Sequence, residues 1–160
     1  MISLFECLPI DRELVCEFFA TFARFEYALK ATPPFCGFER DRAVPNWKCF
    51  GESVGADLAA SDDPEVMDAI RYLVNNPPQV QKFAHGHPEF QPVALQGKNG
   101  GEKATEAAKR VRNNLFHGGK HTPHSPPERD EKLIRSALII LEACLKLRPD
   151  LRAEFEHFYA

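Results

Sequence analysis

The chain predicts an all-α domain of four to five helices interrupted by two long Pro/Gly-rich loops, and three observations carry that prediction. Apolar residues recur at three- and four-residue steps in several segments, and each of these is bounded by capping and helix-breaking residues. Most of the thirteen Pro fall between those segments. Residues 32–60 have the Pro and Gly content of a loop, and over residues 77–101 apolar and polar character alternates too little to predict a strand. With 160 residues, 18.1 kDa and 44% hydrophobic content, the span 1–160 fits a single domain with a substantial core.

The first helix is expected from about Asp11 to Ala31, capped by Asp11 and ended by Pro33 and Pro34. Leu14, Phe18, Phe22, Phe25 and Leu29 form its apolar stripe, widened by Val15 and Phe19. Residues 32–60 have loop composition, with Trp47 and Phe50 pinning the loop to the core and a short helix possible around Glu52 to Ala60. The second helix starts at Asp63-Pro64-Glu65, an N-cap followed by Pro at the first helical position, and stops before Asn75-Asn76-Pro77-Pro78. Residues 77–101 form the second loop. The third helix covers about Glu102 to Phe116, with Ala104, Ala107, Ala108, Val111 and Leu115 on one face and Gly118-Gly119 at its C-cap. Ser125-Pro126-Pro127-Glu128 reads as a capping box for the fourth, about 127–148. That helix is apolar nearly all round, so it is either central or shared with another subunit. Pro149 separates it from a short last helix, Asp150 to Phe158.

Composition narrows the function classes. A formal charge of -3, from 20 basic and 23 acidic side chains, excludes a histone-like binder. Thirteen Phe against three Tyr and one Trp place the aromatic residues mainly in the core. The longest apolar run, Ala137 to Leu141, is far short of the ~20 residues that span a bilayer, so no membrane partner is expected. The first fifteen residues show no basic stretch before an apolar run, and five Cys without close pairing fit free thiols, so a cytoplasmic location is expected.

The charge is unevenly spread. Residues 98–124 hold Lys98, Lys103, Lys109, Arg110, Arg112 and Lys120 against Glu102 and Glu106, a local balance of +4. Within them, Arg112-Asn113-Asn114-Leu115-Phe116-His117 puts a guanidinium, two carboxamides and an imidazole at a helix end. Arg offers a planar fork for phosphate oxygens, and His exchanges protons near neutral pH, so these are the parts of a phosphodiesterase that needs no metal. On an ideal helix Arg112 and His117 lie about 140° apart. The two therefore converge on one phosphate only if the helix unwinds near Gly118 or if a second chain supplies one of them. His85, His87, His121 and His124 stand without a Cys or acidic residue at ligand spacing, so neither a metal nor a cofactor is expected.

This segment resembles the R-x4-H motif, with a polar residue after the Arg, of the HEPN (higher eukaryotes and prokaryotes nucleotide-binding) superfamily. Residues Arg24 to Lys30 in the first helix, the Trp47 and Phe50 pair and the Gly-Gly-Lys after the His are similar to small standalone bacterial members. The resemblance implies an up-and-down helical bundle that forms a homodimer with facing motifs and a composite active site. It also implies metal-independent endoribonuclease activity of a toxin or phage-defence type, with RNA as substrate and an antitoxin protein as a further partner. Under it, Arg112 would stabilise charge on the scissile phosphate, His117 would act as general acid or base, and Asn113 would orient the phosphate or the His. Lys109, Arg110, Asn114 and Lys120 would hold the RNA. Apart from the resemblance, Glu26 follows Phe22 by four residues at the edge of the first helix's stripe, and is either a surface residue at that border or a partner that pairs with Arg112 or Arg110. Gly119 stands where antitoxin-modified relatives often carry Tyr, so tyrosine modification there is not expected. The alternative is a non-catalytic module of the same kind that binds RNA, a nucleotide or a protein partner.

Overall fold

The computed structural model describes residues 10–116 and 126–157. Six α-helices run in the order α1 (Arg12–Ala31), α2 (Trp47–Ala59), α3 (Pro64–Asn75), α4 (Gly100–Phe116), α5 (Pro127–Leu147) and α6 (Pro149–Glu156). A 3₁₀ turn, Pro33–Phe35, follows α1. Between the helices lie two antiparallel hairpins, β1 (Cys36–Glu39) with β2 (Arg42–Pro45), and β3 (Val80–Ala84) with β4 (His87–Gln91).

The expectation of an all-α fold is therefore corrected: both segments read as long loops fold in part into two-stranded sheets, and the domain is mixed. The strands are only four or five residues long and carry Gly37, Pro45 and Pro88, so their sequence has loop composition. Each hairpin closes over two residues, Arg40-Asp41 and His85-Gly86. His85 (φ 52°) and Gly86 (φ 86°) both take the left-handed conformation that a twist-matched two-residue hairpin turn requires.

The helices follow their sequence signals more closely. Asp11 caps α1, its Oδ1 accepting from the Leu14 amide at 2.8 Å, and Asp63 caps α3 through the Glu65 amide at 2.9 Å. The other correction is α2, which begins at Trp47 rather than near Glu52, with Asn46 accepting from the Cys49 amide at 3.1 Å. The expected Gly118-Gly119 cap and Ser125 lie outside the described residues, and Pro126 stands at the N-cap of α5.

Helix α5 is central. It packs against each of the other five helices, burying Leu133, Ile134, Ala137, Ile140, Leu141 and Cys144. Its all-round apolar character is thus accounted for within one chain. Burial pushes the Cys144 thiol up to about 12, which keeps it neutral in this core. Cys16, Cys36, Cys49 and Cys144 are unbridged. Helix α1 contributes Leu14, Phe18, Phe22, Phe25 and Leu29, whereas Phe19 points outward at 56% exposure, against the wider stripe expected for it. Arg24 ties α1 to the end of α6 by donating to the carbonyls of Phe155 (2.7 Å), Glu154 (2.8 Å) and His157. Among the described residues no helix is long and apolar enough to cross a membrane.

Helices α2 and α4 approach so closely that the crossing is made of backbone and small side chains. A Cβ on Gly101 would run into the Gly55 carbonyl oxygen, and one on Gly51 would stand 2.7 Å from Thr105 Oγ1. This contact sets the position of α4, and with it Lys109, Arg110, Arg112, Asn113 and Asn114.

Candidate functional site: the outer face of helix α4

Positions 109, 112, 113 and 116 are spaced by three, four and seven residues, so Lys109, Arg112, Asn113 and Phe116 share one face of α4. That face looks toward α1 and the start of α2. Arg112 Nη2 donates to Glu26 Oε2 at 3.2 Å and Nη1 to Asn113 Oδ1 at 3.1 Å. Its guanidinium carbon also stands 5.6 Å from the Phe22 ring centre and 5.8 Å from that of Phe116. With 32% of its side chain exposed, the guanidinium is oriented without being enclosed.

Glu26 is the hinge of this arrangement. Its second oxygen, Oε1, accepts from Trp47 Nε1 at 3.2 Å. Trp47 is itself fixed by stacking on Phe22 (5.2 Å) and Phe25 (5.6 Å). A buried indole needs a partner for its N–H, and here that need also orients the carboxylate that holds Arg112. Of the two cations expected for Glu26, the geometry selects Arg112.

Arg110 has a different place from the one expected of an RNA contact. It is buried, pairs with Glu106 at 2.5 Å, and donates to the carbonyls of Val93 (2.6 Å) and Ala94 (2.9 Å). Its fork is spent on fastening the segment after β4 to α4. Asn114 is likewise engaged, its Nδ2 donating to the Gln79 carbonyl at 2.7 Å just before β3. Lys109 is exposed and lines a cleft of about 600 Å³ between α2, α4 and residues 96–98. His117 and Lys120 lie outside the described residues, as do His121 and His124.

The cleft begins one helical turn from Arg112 and includes Trp47, Lys48, Glu52, Lys98 and Lys109. Two further carboxylates on its wall are committed. Glu102 accepts from the Lys98 amide and Asn99 Nδ2, both at 3.0 Å, and Glu106 holds Arg110 and the Gln96 amide. The three lysine ammonium groups make no hydrogen bond or ion pair among the described residues, so they face water. The loop histidines are elsewhere, and the expectation that no acidic residue stands near them is corrected: His85 and His87 flank Glu89 in the second hairpin at 3.1 and 3.2 Å, because the hairpin turn brings positions 85, 87 and 89 together. Among the described residues no three His, Cys, Asp or Glu side chains gather as a metal would need.

The residues that sequence reasoning did not assign to the site are Trp47, Phe22, Phe116, Phe19, Lys48 and Lys98. Only Trp47 carried a usable signal, since a lone Trp beside an apolar helix must place its N–H on some acceptor. No protein-family model, curated protein or solved structure matches the chain.

Proposed function

We propose that the protein is a metal-independent endoribonuclease whose reaction centre is assembled around Arg112 and His117. The observation that carries this reading is the setting of Arg112: held by Glu26 and Asn113, backed by two Phe rings, one third exposed and one turn from a cleft with three lysines that have no ion-pair partner among the described residues. Such a guanidinium is preorganised for a phosphodiester, and preorganised charge is what stabilises a phosphorane-like transition state. His117 follows α4 directly in sequence and would supply the acid and base. The RNA 2′-hydroxyl loses its proton to the base and bonds to the adjacent phosphorus. The bond from phosphorus to the 5′ oxygen breaks, and that oxygen takes a proton, leaving a 2′,3′-cyclic phosphate and a 5′-hydroxyl. DNA lacks the nucleophile and resists. Lys109, Lys98 and Lys48 would carry the backbone leading to Arg112.

The test is an assay on total RNA in EDTA with end-group analysis. Wild type yields cyclic ends, and Arg112→Ala and His117→Ala each reduce cleavage at least a hundredfold while the circular dichroism spectrum is kept. Cleavage that survives both changes would refute the reading. His117 reaches Arg112 either within one chain or from a second chain in a homodimer. Mixing the two inactive variants restores activity only in the second case.

A second reading, a module that binds RNA without cutting it, is favoured by one observation. The Arg112 guanidinium already has a carboxylate partner in Glu26, which lowers the positive charge offered to a phosphate. RNA binding by wild type without cyclic ends would select it.

A further inference from the structure

Phe19 on α1 and Phe116 at the end of α4 touch edge to face, with ring centres 5.4 Å apart, yet remain 56% and 40% exposed. Phe116 also bounds Arg112. The other strongly exposed rings, Phe38 and Phe83, stand on the hairpins with no ring contact among the described residues. Leaving two touching rings in water forfeits burial of apolar surface at about 25 cal/mol per Å², and the place where it is forfeited adjoins the phosphate-binding candidate.

Resting on the reading of Arg112 as the phosphate contact, we propose that Phe19 and Phe116 form a stacking platform for one unpaired nucleobase of the RNA strand beside the bound phosphate. Two features argue for a base as the occupant, and a third consideration restricts it to unpaired strands. The platform is aromatic, and every base presents a π face that stacks on such rings. It lies on the same side of α4 as Arg112 and Lys109, so an anionic strand meets opposite charge while its base meets the rings. In a duplex both faces of each base are covered by neighbours, so only a single strand or a loop can use the platform. Stacking strength rises with ring area, which favours a purine at this position over a pyrimidine.

The test uses five-nucleotide single strands that are 2′-O-methylated throughout, so that none can be cleaved, with the fluorescent base 2-aminopurine at one position in turn. Wild type quenches the probe at one position, binds adenine there several-fold more tightly than uracil, and binds the matching duplex weakly. Phe19→Ala, at a site already facing water, abolishes the quench and weakens binding about fivefold or more. Phe38→Ala leaves both unchanged. Unaltered binding by Phe19→Ala, equal affinity for duplex, or no binding by wild type overturns the platform. So does conversion of a dimer to a monomer by Phe19→Ala in sedimentation, which would assign the rings to a second copy. Quenching without cleavage of ordinary RNA would remove the ribonuclease reading and keep the platform. Cleavage with Phe19→Ala indistinguishable from wild type would do the reverse.

Discussion

Lys109 and Arg110 are adjacent in sequence and opposite in circumstance, which shows how little a basic cluster says about its members one by one. Lys109 stands exposed on the cleft, whereas Arg110 is buried on Glu106 and two backbone carbonyls. Removing a buried guanidinium leaves a partly buried carboxylate and two carbonyls without a donor, a loss of about 2–4 kcal/mol, while truncating an exposed lysine changes stability by about 0.5 kcal/mol or less. Urea unfolding of Arg110→Ala and Lys109→Ala should reproduce that contrast, and equal midpoints would contradict it. The sequence could locate the cluster and the R-x4-H spacing because both are local patterns. It could not show that residues 93–94 fold over Arg110. Nor could it choose between Arg110 and Arg112 as the partner of Glu26, because that pair joins positions 86 residues apart. The Phe19 and Phe116 contact was hidden for the same reason, and periodicity put Phe19 at the edge of the core stripe rather than in water.

At the level of elements, legibility followed cooperativity between local and tertiary signals. Helices α1, α3, α4 and α5 have apolar periodicity and bounding residues that agree, and they appear close to where those signals put them. Helix α2 does not. Gly51 and Gly55 each cost about 1 kcal/mol of helix propensity, so its sequence reads as a loop until the demand of α4 for a bare backbone is known. The hairpins were hidden by their shortness, although the His85-Gly86 turn is a weak hairpin signal. The α2–α4 crossing yields its own prediction. Gly101→Ala improves helix propensity and would stabilise an exposed helix, but its Cβ meets the Gly55 carbonyl, so overpacking dominates with a loss of about 1–3 kcal/mol or more. Since the crossing positions Lys109 and Arg112, the same change should, under the proposed ribonuclease function, also weaken RNA binding. A Gly101→Ala protein as stable as wild type in thermal unfolding would show that the helices separate more easily than their contact implies.

For the molecule as a whole, the central place of α5 changes what an assembly would have to explain. An apolar helix shared between subunits makes folding and association one event, and the stability of such an obligate dimer depends on protein concentration. Here α5 is covered by the other helices of its own chain, so the core closes without a partner. Any homodimer that brings a second His117 to Arg112 would then join folded chains through other surfaces, and its interface would add little to the melting temperature. Across a hundredfold range of concentration an obligate dimer gains about 2.7 kcal/mol by mass action, enough to raise its midpoint by about 3 °C or more. Wherever light scattering shows monomer, the midpoint of this protein should instead stay constant over that range. A midpoint that rises with concentration would return α5, or another part of the core, to a shared interface. A constant midpoint together with restored activity on mixing Arg112→Ala and His117→Ala chains would separate the two roles: one chain sufficient to fold, two chains needed to cut.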